Sequence, residues 1–300
     1  MKASDDNRSR TLVVLHLAVF LAGWTGVFGR LISLGGFPLV WYRIIVSVTV
    51  LLAVMAATGK LHRVSRAEFF RIAGCGCLLA LHWVAFYASI QASNVSVGVA
   101  CIATSCFFTA VLSPIINRKR ISWTEVLISF ISITGVLLIF SLDARYRLGI
   151  AIGLLSAAIC SLFAILNVNV ARETSQDNAT MLLYELVGGG ILLTLLIPFY
   201  PLIAPGAEVL PGTMDWIWLL LLGALFTVLP FLLQLQALRH LSAFTVNLAY
   251  NLEPLYSIVI AAILFGELRE VGVSFWIGVT LIIISVLIQT WRVERGPADQ

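Results

Sequence analysis

A carboxylate and a helix breaker, Glu253 and Pro254, stand side by side within the apolar stretch TVNLAYNLEPLYSIVIAAILFGE (residues 245–267). An ionisable side chain inside a bilayer is costly and usually faces the bundle interior or a water-filled cavity. Proline cannot donate to the carbonyl of Tyr250, so a helix here should break, and the freed backbone group needs a partner or a cavity. Glu253 and Pro254 are therefore candidates for coupling or gating. The alternative is a structural Glu253 that hydrogen-bonds to a neighbouring helix and fixes the kink.

Helical spacing places other polar residues of this stretch on two faces. Asn247, Asn251 and Pro254 share one face, and Tyr250 and Glu253 share another. Asn247, Tyr250 and Asn251 are candidates for contact with a substrate. The spacing alone does not decide which face lines a cavity.

A second group of candidate substrate-binding residues lies in the first two apolar stretches. Arg43 suits bidentate recognition of a carboxylate or phosphate, and the alternative is a side chain that snorkels to the outer surface. Tyr42, beside Arg43, and Trp24 are candidates for stacking on a substrate ring. Core packing and interface anchoring are the alternatives for these aromatic residues.

Two more ionisable residues fall inside apolar stretches, His82 and Glu185. His82 is a candidate for substrate contact or proton relay, and its alternative is a hydrogen-bonded packing role. Glu185 can take up a proton and is a candidate coupling residue, and its alternative is a salt bridge near the cytoplasmic side.

The composition is that of an integral membrane protein. Of the 300 residues, 60% are hydrophobic and 11% are charged, whereas a soluble domain carries about a quarter charged residues. No run of basic residues is interleaved with aromatic residues, so a nucleic-acid partner is not expected. The five cysteines lie in apolar stretches without a C-x-x-C pair, so we expect packing roles and neither a disulfide framework, a metal site nor another cofactor.

Ten stretches are long and apolar enough to be spanning helices. They are Leu12–Leu34, Phe37–Ala57, Phe69–Ile90, Val95–Ile116, Trp123–Leu142, Leu148–Ala171, Thr180–Tyr200, Met214–Leu238, Ala243–Phe265 and Val271–Trp291. Most of the 19 Lys and Arg residues fall in the tails and loops on one side of this arrangement. Because basic loops are typically cytoplasmic, we expect a multi-pass protein of the plasma or inner membrane with both termini in the cytoplasm.

The ten predicted spans divide into two related halves. Residues 88–139 align without gaps to residues 237–288, and the second helices of the halves pair Tyr42 with Tyr184 and Arg43 with Glu185. Five helices per repeat give halves of opposite orientation, which is the architecture of many secondary transporters. The predicted fold is therefore an all-α integral membrane protein of ten helices in two inverted five-helix repeats. The segments are a cytoplasmic tail (1–11), the first repeat (12–142), the second repeat (148–291) and a cytoplasmic tail (292–300).

The chain resembles EamA-type members of the drug/metabolite transporter superfamily over about residues 12–291. The motifs that carry the resemblance are GWTGVFGR (23–30), YRIIVS (42–47) and NLEPLYSIVIAAILFGE (251–267). The family's ninth helix typically carries Glu-Pro and ends in Gly-Glu, which are here Glu253, Pro254, Gly266 and Glu267. The first half departs from this pattern, with Thr104-Ser105 at the register of Glu253-Pro254.

The resemblance implies a secondary transporter for a small metabolite, such as an amino acid-like or related organic solute, that works by alternating access, with export the expected direction. Uptake or exchange by the same fold stays open, and a homodimer is compatible with it. An intramembrane lipid-modifying enzyme is the alternative from another class, but it would need clustered catalytic residues. The four histidines are scattered along the chain, so we expect no enzymatic activity and no catalytic residues.

Overall fold

The computed structural model describes residues 2–25, 28, 31–93, 98, 101–140, 147–206, 208–253, 255–256, 260 and 273–295. Within them the chain forms ten helices: α1 (Lys2–Gly23), α2 (Gly36–Ala57), α3 (Arg66–Gln91), α4 (Ser105–Ile116), α5 (Trp123–Phe140), α6 (Arg147–Glu173), α7 (Asn178–Ile203), α8 (Thr213–Leu238), α9 (Ala243–Tyr250) and α10 (Val273–Arg295). Six of these, α2, α3, α6, α7, α8 and α10, contain segments long and apolar enough to cross a membrane.

The helices correspond one by one to the predicted spans. α1 begins at Lys2, within the predicted tail. The end of the predicted ninth span and residues 95–97 and 99–100 of the predicted fourth span lie outside the described residues. Local sequence explains several of the observed starts. The side chains of Ser65, Asp177 and Ser242 accept hydrogen bonds from backbone N–H groups at the starts of α3, α7 and α9, which satisfies donors that a helix start leaves free.

The packing pairs have the symmetry that two repeats predict. In two five-helix repeats, α1 corresponds to α6, α2 to α7 and α3 to α8. α3 packs against α6 and α7, and its counterpart α8 packs against α1 and α2. α2 packs against α7, α4 against α9 and α5 against α10, which are pairs of equivalent helices. The fold is therefore two interleaved five-helix repeats, and the interior of the bundle is built from both.

Both repeats interrupt the helix that carries the aligned Thr104 and Glu253. In the first half, a turn at residues 103–104 precedes α4, and in the second half a turn at residues 251–252 ends α9. At the second turn, the backbone N–H groups of Asn251 and Leu252 bond to carbonyls three residues earlier instead of four. The predicted break in the ninth helix is thus present, and the equivalent break in the first half occurs without a Glu-Pro pair.

Candidate functional site

Arg43, on α2, lies inside the bundle with only 4% of its surface exposed. Its Nε donates a hydrogen bond of 2.7 Å to Oγ1 of Thr227 on α8, and its guanidinium carbon lies 4.0 Å from the ring centroid of Trp83 on α3. A guanidinium over an indole face is held by the ring's negative potential. The side chain therefore points into the bundle, and the snorkelling alternative is wrong.

A local distortion of α8 places the hydroxyl that Arg43 uses. Residues Ala224–Val228 form a π-helical turn, and Oγ1 of Thr227 donates to the carbonyl of Leu222, five residues earlier, at 2.7 Å. Single π turns are frequent at functional sites. α2 and α8 also approach closely, because Gly223 has no side chain and its carbonyl accepts a 2.9 Å hydrogen bond from Ser47.

Glu253 follows the break in the ninth helix and faces the same region. Its Oε1 accepts a hydrogen bond of 3.4 Å from Thr25, two residues after the end of α1, and the positive charge of Arg43 favours its ionised form. Glu253 is half-buried among the helices. We call the region between the guanidinium of Arg43 and the carboxylate of Glu253 the cleft.

Three further half-buried side chains interact with Arg43 or Glu253. They are Tyr87 on α3, Cys160 on α6 and Tyr250 on α9. Tyr87 interacts with the guanidinium of Arg43, and Cys160 and Tyr250 interact with Glu253. Together with Arg43 and Glu253, they define the cleft residues.

The two faces of α9 have different neighbours. The Tyr250 face belongs to the cleft, where its hydroxyl donates to Gln234 at 3.2 Å. The opposite face packs against the first half: Asn247 donates to Thr109 at 2.7 Å, and Asn251 donates to Ser132 at 2.7 Å. Both asparagines are almost completely buried. They hold α9 against α4 and α5 and do not line the cleft in this conformation.

The aromatic candidates Trp24 and Tyr42 pack against aromatic side chains of α8. Trp24 stacks on Phe226 with a centroid separation of 5.5 Å, and Tyr42 packs edge-on against Trp216 at 5.4 Å. Trp24 remains half-buried beside Thr25, which contacts Glu253. Tyr42 is buried in a cluster with aromatic and aliphatic side chains, so its neighbours are those of a packing residue.

His82 is paired within the α3–α6 interface. Its Nδ1 lies 2.9 Å from Oγ of Ser156, and that hydroxyl donates back to the carbonyl of His82 at 2.8 Å. The reciprocal pair gives Nδ1 of His82 and the hydroxyl of Ser156 a partner each, which matches the packing alternative for His82.

Glu185 has no such arrangement. It is fully buried on α7, and neither carboxyl oxygen has a hydrogen-bond partner. The cytoplasmic salt bridge considered for Glu185 is therefore wrong. Pro254, the remaining sequence candidate, lies outside the described residues.

Five side chains of the site were not identified from the sequence: Thr25, Trp83, Tyr87, Cys160 and Thr227. One signal for the π turn was present, since Pro230 in the middle of the eighth span cannot donate to the carbonyl of Phe226. Such a proline requires the preceding turn to rearrange. Trp83 and Tyr87 become neighbours of Arg43 only in the folded structure, and nothing in the residue spacing of α3 relates them to α2.

The site offers a cation, a carboxylate and hydroxyl groups without a metal centre. The described residues contain no group of three His, Cys, Asp or Glu side chains that could hold a metal ion. All five cysteines are free thiols. The arrangement can bind a small charged molecule by hydrogen bonds and electrostatics.

Comparison with known proteins identifies the family of this chain. The sequence profile of the EamA-like transporter family matches residues 9–141 and again residues 147–291. The chain belongs to the EamA-like transporter family. It is thus a multi-pass membrane protein of a family of transporters of small solutes, and the resemblance inferred from its motifs is confirmed.

Individual relatives agree with this membership. An uncharacterized transporter of Bacillus subtilis (strain 168), YxxF, is 22% identical over 267 residues, which cover 88% of this chain and 84% of the relative. A probable sugar phosphate/phosphate translocator of Arabidopsis thaliana is 25% identical over 239 residues, which cover 77% of this chain and 76% of that protein. A protein crystal structure matches 96% of this chain and 100% of its own with a TM-score of 0.76 at 14% identity, which supports the fold.

Proposed function

We propose that this EamA-like protein is a secondary transporter that binds a small organic solute in the cleft between Arg43 and Glu253 and moves it by alternating access. One observation carries the proposal: a buried arginine, held by Trp83 and Thr227, interacts electrostatically with a half-buried carboxylate of the other repeat. Buried charges in a membrane are costly and commonly mark substrate or ion pathways.

The chemistry of the cleft favours a solute with an acidic group. The hydrogen bond to Thr227 uses Nε of Arg43 and leaves Nη1 and Nη2 outside that bond, and a guanidinium binds carboxylate or phosphate in a fork. Glu253 suits an amino group on the same solute, so an amino acid-like zwitterion complements both charges. The relative named as a probable sugar phosphate/phosphate translocator is consistent with an anionic group on the solute.

The two repeats are the parts that would move relative to each other. Residues 12–142 and 148–291 are the proposed repeats, and the cleft residues come from both. The equivalent breaks at residues 103–104 and 251–252 lie in helices that pack on one another. We propose that the repeats rock about this contact and expose the cleft to one side of the membrane at a time.

Export across the plasma or inner membrane is the proposed direction, with both termini and the tails 1–11 and 292–300 in the cytoplasm. The Lys and Arg distribution supports this orientation. Uptake or exchange would use the same cleft and would differ only in the gradient that drives it.

Untargeted metabolite profiling of overproducing cells and their medium tests the proposal. Wild-type protein is compared with Arg43→Gln and Glu253→Gln, and Arg147→Gln serves as the control because Arg147 is exposed at the start of α6. All proteins are matched for abundance in the membrane.

The expected result is a metabolite enriched in the medium by wild type and by the Arg147 variant, and not by the two cleft variants. If wild type and the Arg147 variant instead deplete a metabolite from the medium, and the cleft variants do not, the direction of transport is uptake and the assignment of the cleft stands. Equal enrichment by all four proteins would contradict the assignment of the cleft.

A further inference from the structure

Two neighbouring buried side chains have oxygen atoms without hydrogen-bond partners. Both carboxyl oxygens of Glu185 on α7 and Oδ1 of Asn167 on α6 are in this state, and the two residues are 0% and 1% exposed. The amide of Asn167 is the polar group that interacts with the carboxyl group of Glu185. Buried polar groups in proteins are nearly always paired, so two adjacent exceptions require an explanation.

The charges around Glu185 do not balance an ionised carboxylate. The titratable neighbour on α3 is the thiol of Cys75, and the neighbour on α6 is the uncharged Asn167. Arg71, toward the cytoplasmic end of α3, is paired with Glu173. Among the described residues of α2 and α8, which also pack on α7, no charged group interacts with Glu185.

One proton pairs two of these three oxygens and removes the unbalanced charge. A neutral carboxyl group can donate its O–H to Oδ1 of Asn167, which gives both of those oxygens a partner. The orientation of an amide is assigned from its hydrogen bonds, so Asn167 is free to present Oδ1 to the acid. We propose that Glu185 and Asn167 form a proton-binding site of this protein, and that Glu185 carries the proton in the conformation described here.

Under the proposed orientation, the end of α7 that is nearer to Glu185 is the cytoplasmic one. An open depression of about 480 Å³ lies at this end and is lined by Arg63, Val64, Arg66, Phe69, Phe70 and Tyr184, whereas Glu185 is buried behind it. Glu185 lies seven positions after Asn178, which corresponds to ~10 Å along the helix axis. The proton would pass to water in this depression and leave a carboxylate behind.

The helix contact beside Glu185 acts as the barrier on this path. A Cβ atom at Gly76 would lie 1.7 Å from the carbonyl oxygen of Glu185, so the backbones of α3 and α7 touch. The carboxylate can be hydrated only when these helices separate. Loss of the proton is therefore linked to a change in how the two repeats pack, and on the proposed function this couples a proton to solute movement.

Difference infrared spectroscopy of the purified, full-length protein tests the site without any substrate. The C=O stretch of a protonated carboxyl group is recorded for wild type minus Glu185→Gln across a pH series, with Glu173→Gln as the control because the Glu173 side chain is 62% exposed. We expect a protonated-acid band at neutral pH that Glu185→Gln removes and Glu173→Gln keeps. A band that is absent from wild type at neutral pH would overturn the proposal.

A second variant keeps the test decisive if Glu185→Gln does not fold. Asn167→Leu removes the acceptor, and the proposal expects the acid band to shift to the frequency of a carboxyl group without a hydrogen bond. An unshifted band would contradict the pairing.

Transport in proteoliposomes tests coupling, with the metabolite found by profiling as the probe and an imposed pH gradient as the drive. Wild type should accumulate the metabolite with the gradient, whereas Glu185→Gln should lose this accumulation and keep downhill movement. An unchanged response in Glu185→Gln would overturn the coupling role. The spectroscopic result does not depend on transport, so the proton site and the proposed function can fail separately.

Discussion

Arg43 and Thr227 connect the two repeats through a hydrogen bond of 2.7 Å between Nε on α2 and Oγ1 on α8. The acceptor is presented by a π-helical turn and donates its own proton to the carbonyl of Leu222. The orientation of the cleft's cation thus depends on a local rearrangement in the opposite repeat. A rocking motion that altered this turn would also move the guanidinium.

Replacement of Thr227 tests this dependence. Thr227→Val keeps the shape and removes the acceptor, which leaves Nε of a buried arginine without this partner at a cost of about 1.5–3 kcal/mol. We expect export of the profiled metabolite to fall by ~10-fold or more at equal protein abundance, whereas Thr227→Ser should keep most of it because the hydroxyl remains. Equal rates in the valine and serine variants would show that the hydrogen bond does not matter for transport.

The contact between α3 and α7 makes a sharp stability prediction. Gly76→Ala places a methyl group 1.7 Å from the carbonyl oxygen of Glu185, so the helices must separate, with a loss of about 1–3 kcal/mol or more. Gly74→Ala is the matched control, two residues away, because nothing lies within 4 Å of its added Cβ. Thermal unfolding in detergent should show a lower midpoint for Gly76→Ala, and an unchanged or higher one for Gly74→Ala. Equal midpoints for both variants would contradict the close approach.

The pairing of Asn251 with Ser132 gives a prediction for the break in the ninth helix. Their 2.7 Å hydrogen bond joins α5 to the turn at residues 251–252. A double-mutant cycle with Asn251→Ala and Ser132→Ala should give a coupling energy of about 0.5–1.5 kcal/mol in the free energy of unfolding. Additive effects would mean that the two side chains do not stabilise the turn together.

Thiol labelling tests whether the cleft holds water. Cys160 is half-buried and retains accessible surface, whereas Cys106 on α4 is 0% exposed. In variants that retain only one of these two thiols, we expect a small water-soluble thiol reagent to modify Cys160 faster than Cys106. Mass spectrometry of the intact protein follows the reaction, and equal rates would argue against an accessible cleft at Cys160.

The sequence predicts the helices well because apolar length is a local property of the chain. Ten spans, two repeats and the break near Glu253 follow from hydropathy, spacing and one proline. The side of each helix that faces the cleft is a different matter, since it depends on which neighbour each helix meets. Asn247 and Asn251 look equivalent to Tyr250 and Glu253 in the sequence, and only the packing of α9 on α4 separates them.

Several site residues that the sequence did not identify contact Arg43 from distant segments of the chain. Trp83 and Thr227 contact Arg43 from α3 and α8, and no spacing rule relates three helices to one another. For Glu185, the packing overturns the expectation from the sequence. Its charge suggests a salt bridge near the cytoplasmic side, but the glycine contacts of α3 and α7 bring it into a dry position that a sequence pattern does not reveal.

The most direct test of the central claim is the binding of the profiled metabolite to purified protein by titration calorimetry. Wild type, Arg43→Gln and the control Arg147→Gln are compared in the same detergent, after thermal unfolding has confirmed that all three are folded. If the solute's acidic group binds at Arg43, Arg43→Gln should weaken affinity by roughly 10- to 150-fold, the equivalent of a charged hydrogen bond, and Arg147→Gln should leave it unchanged. An Arg43→Gln protein that binds with wild-type affinity would contradict the assignment of the cleft as the substrate site.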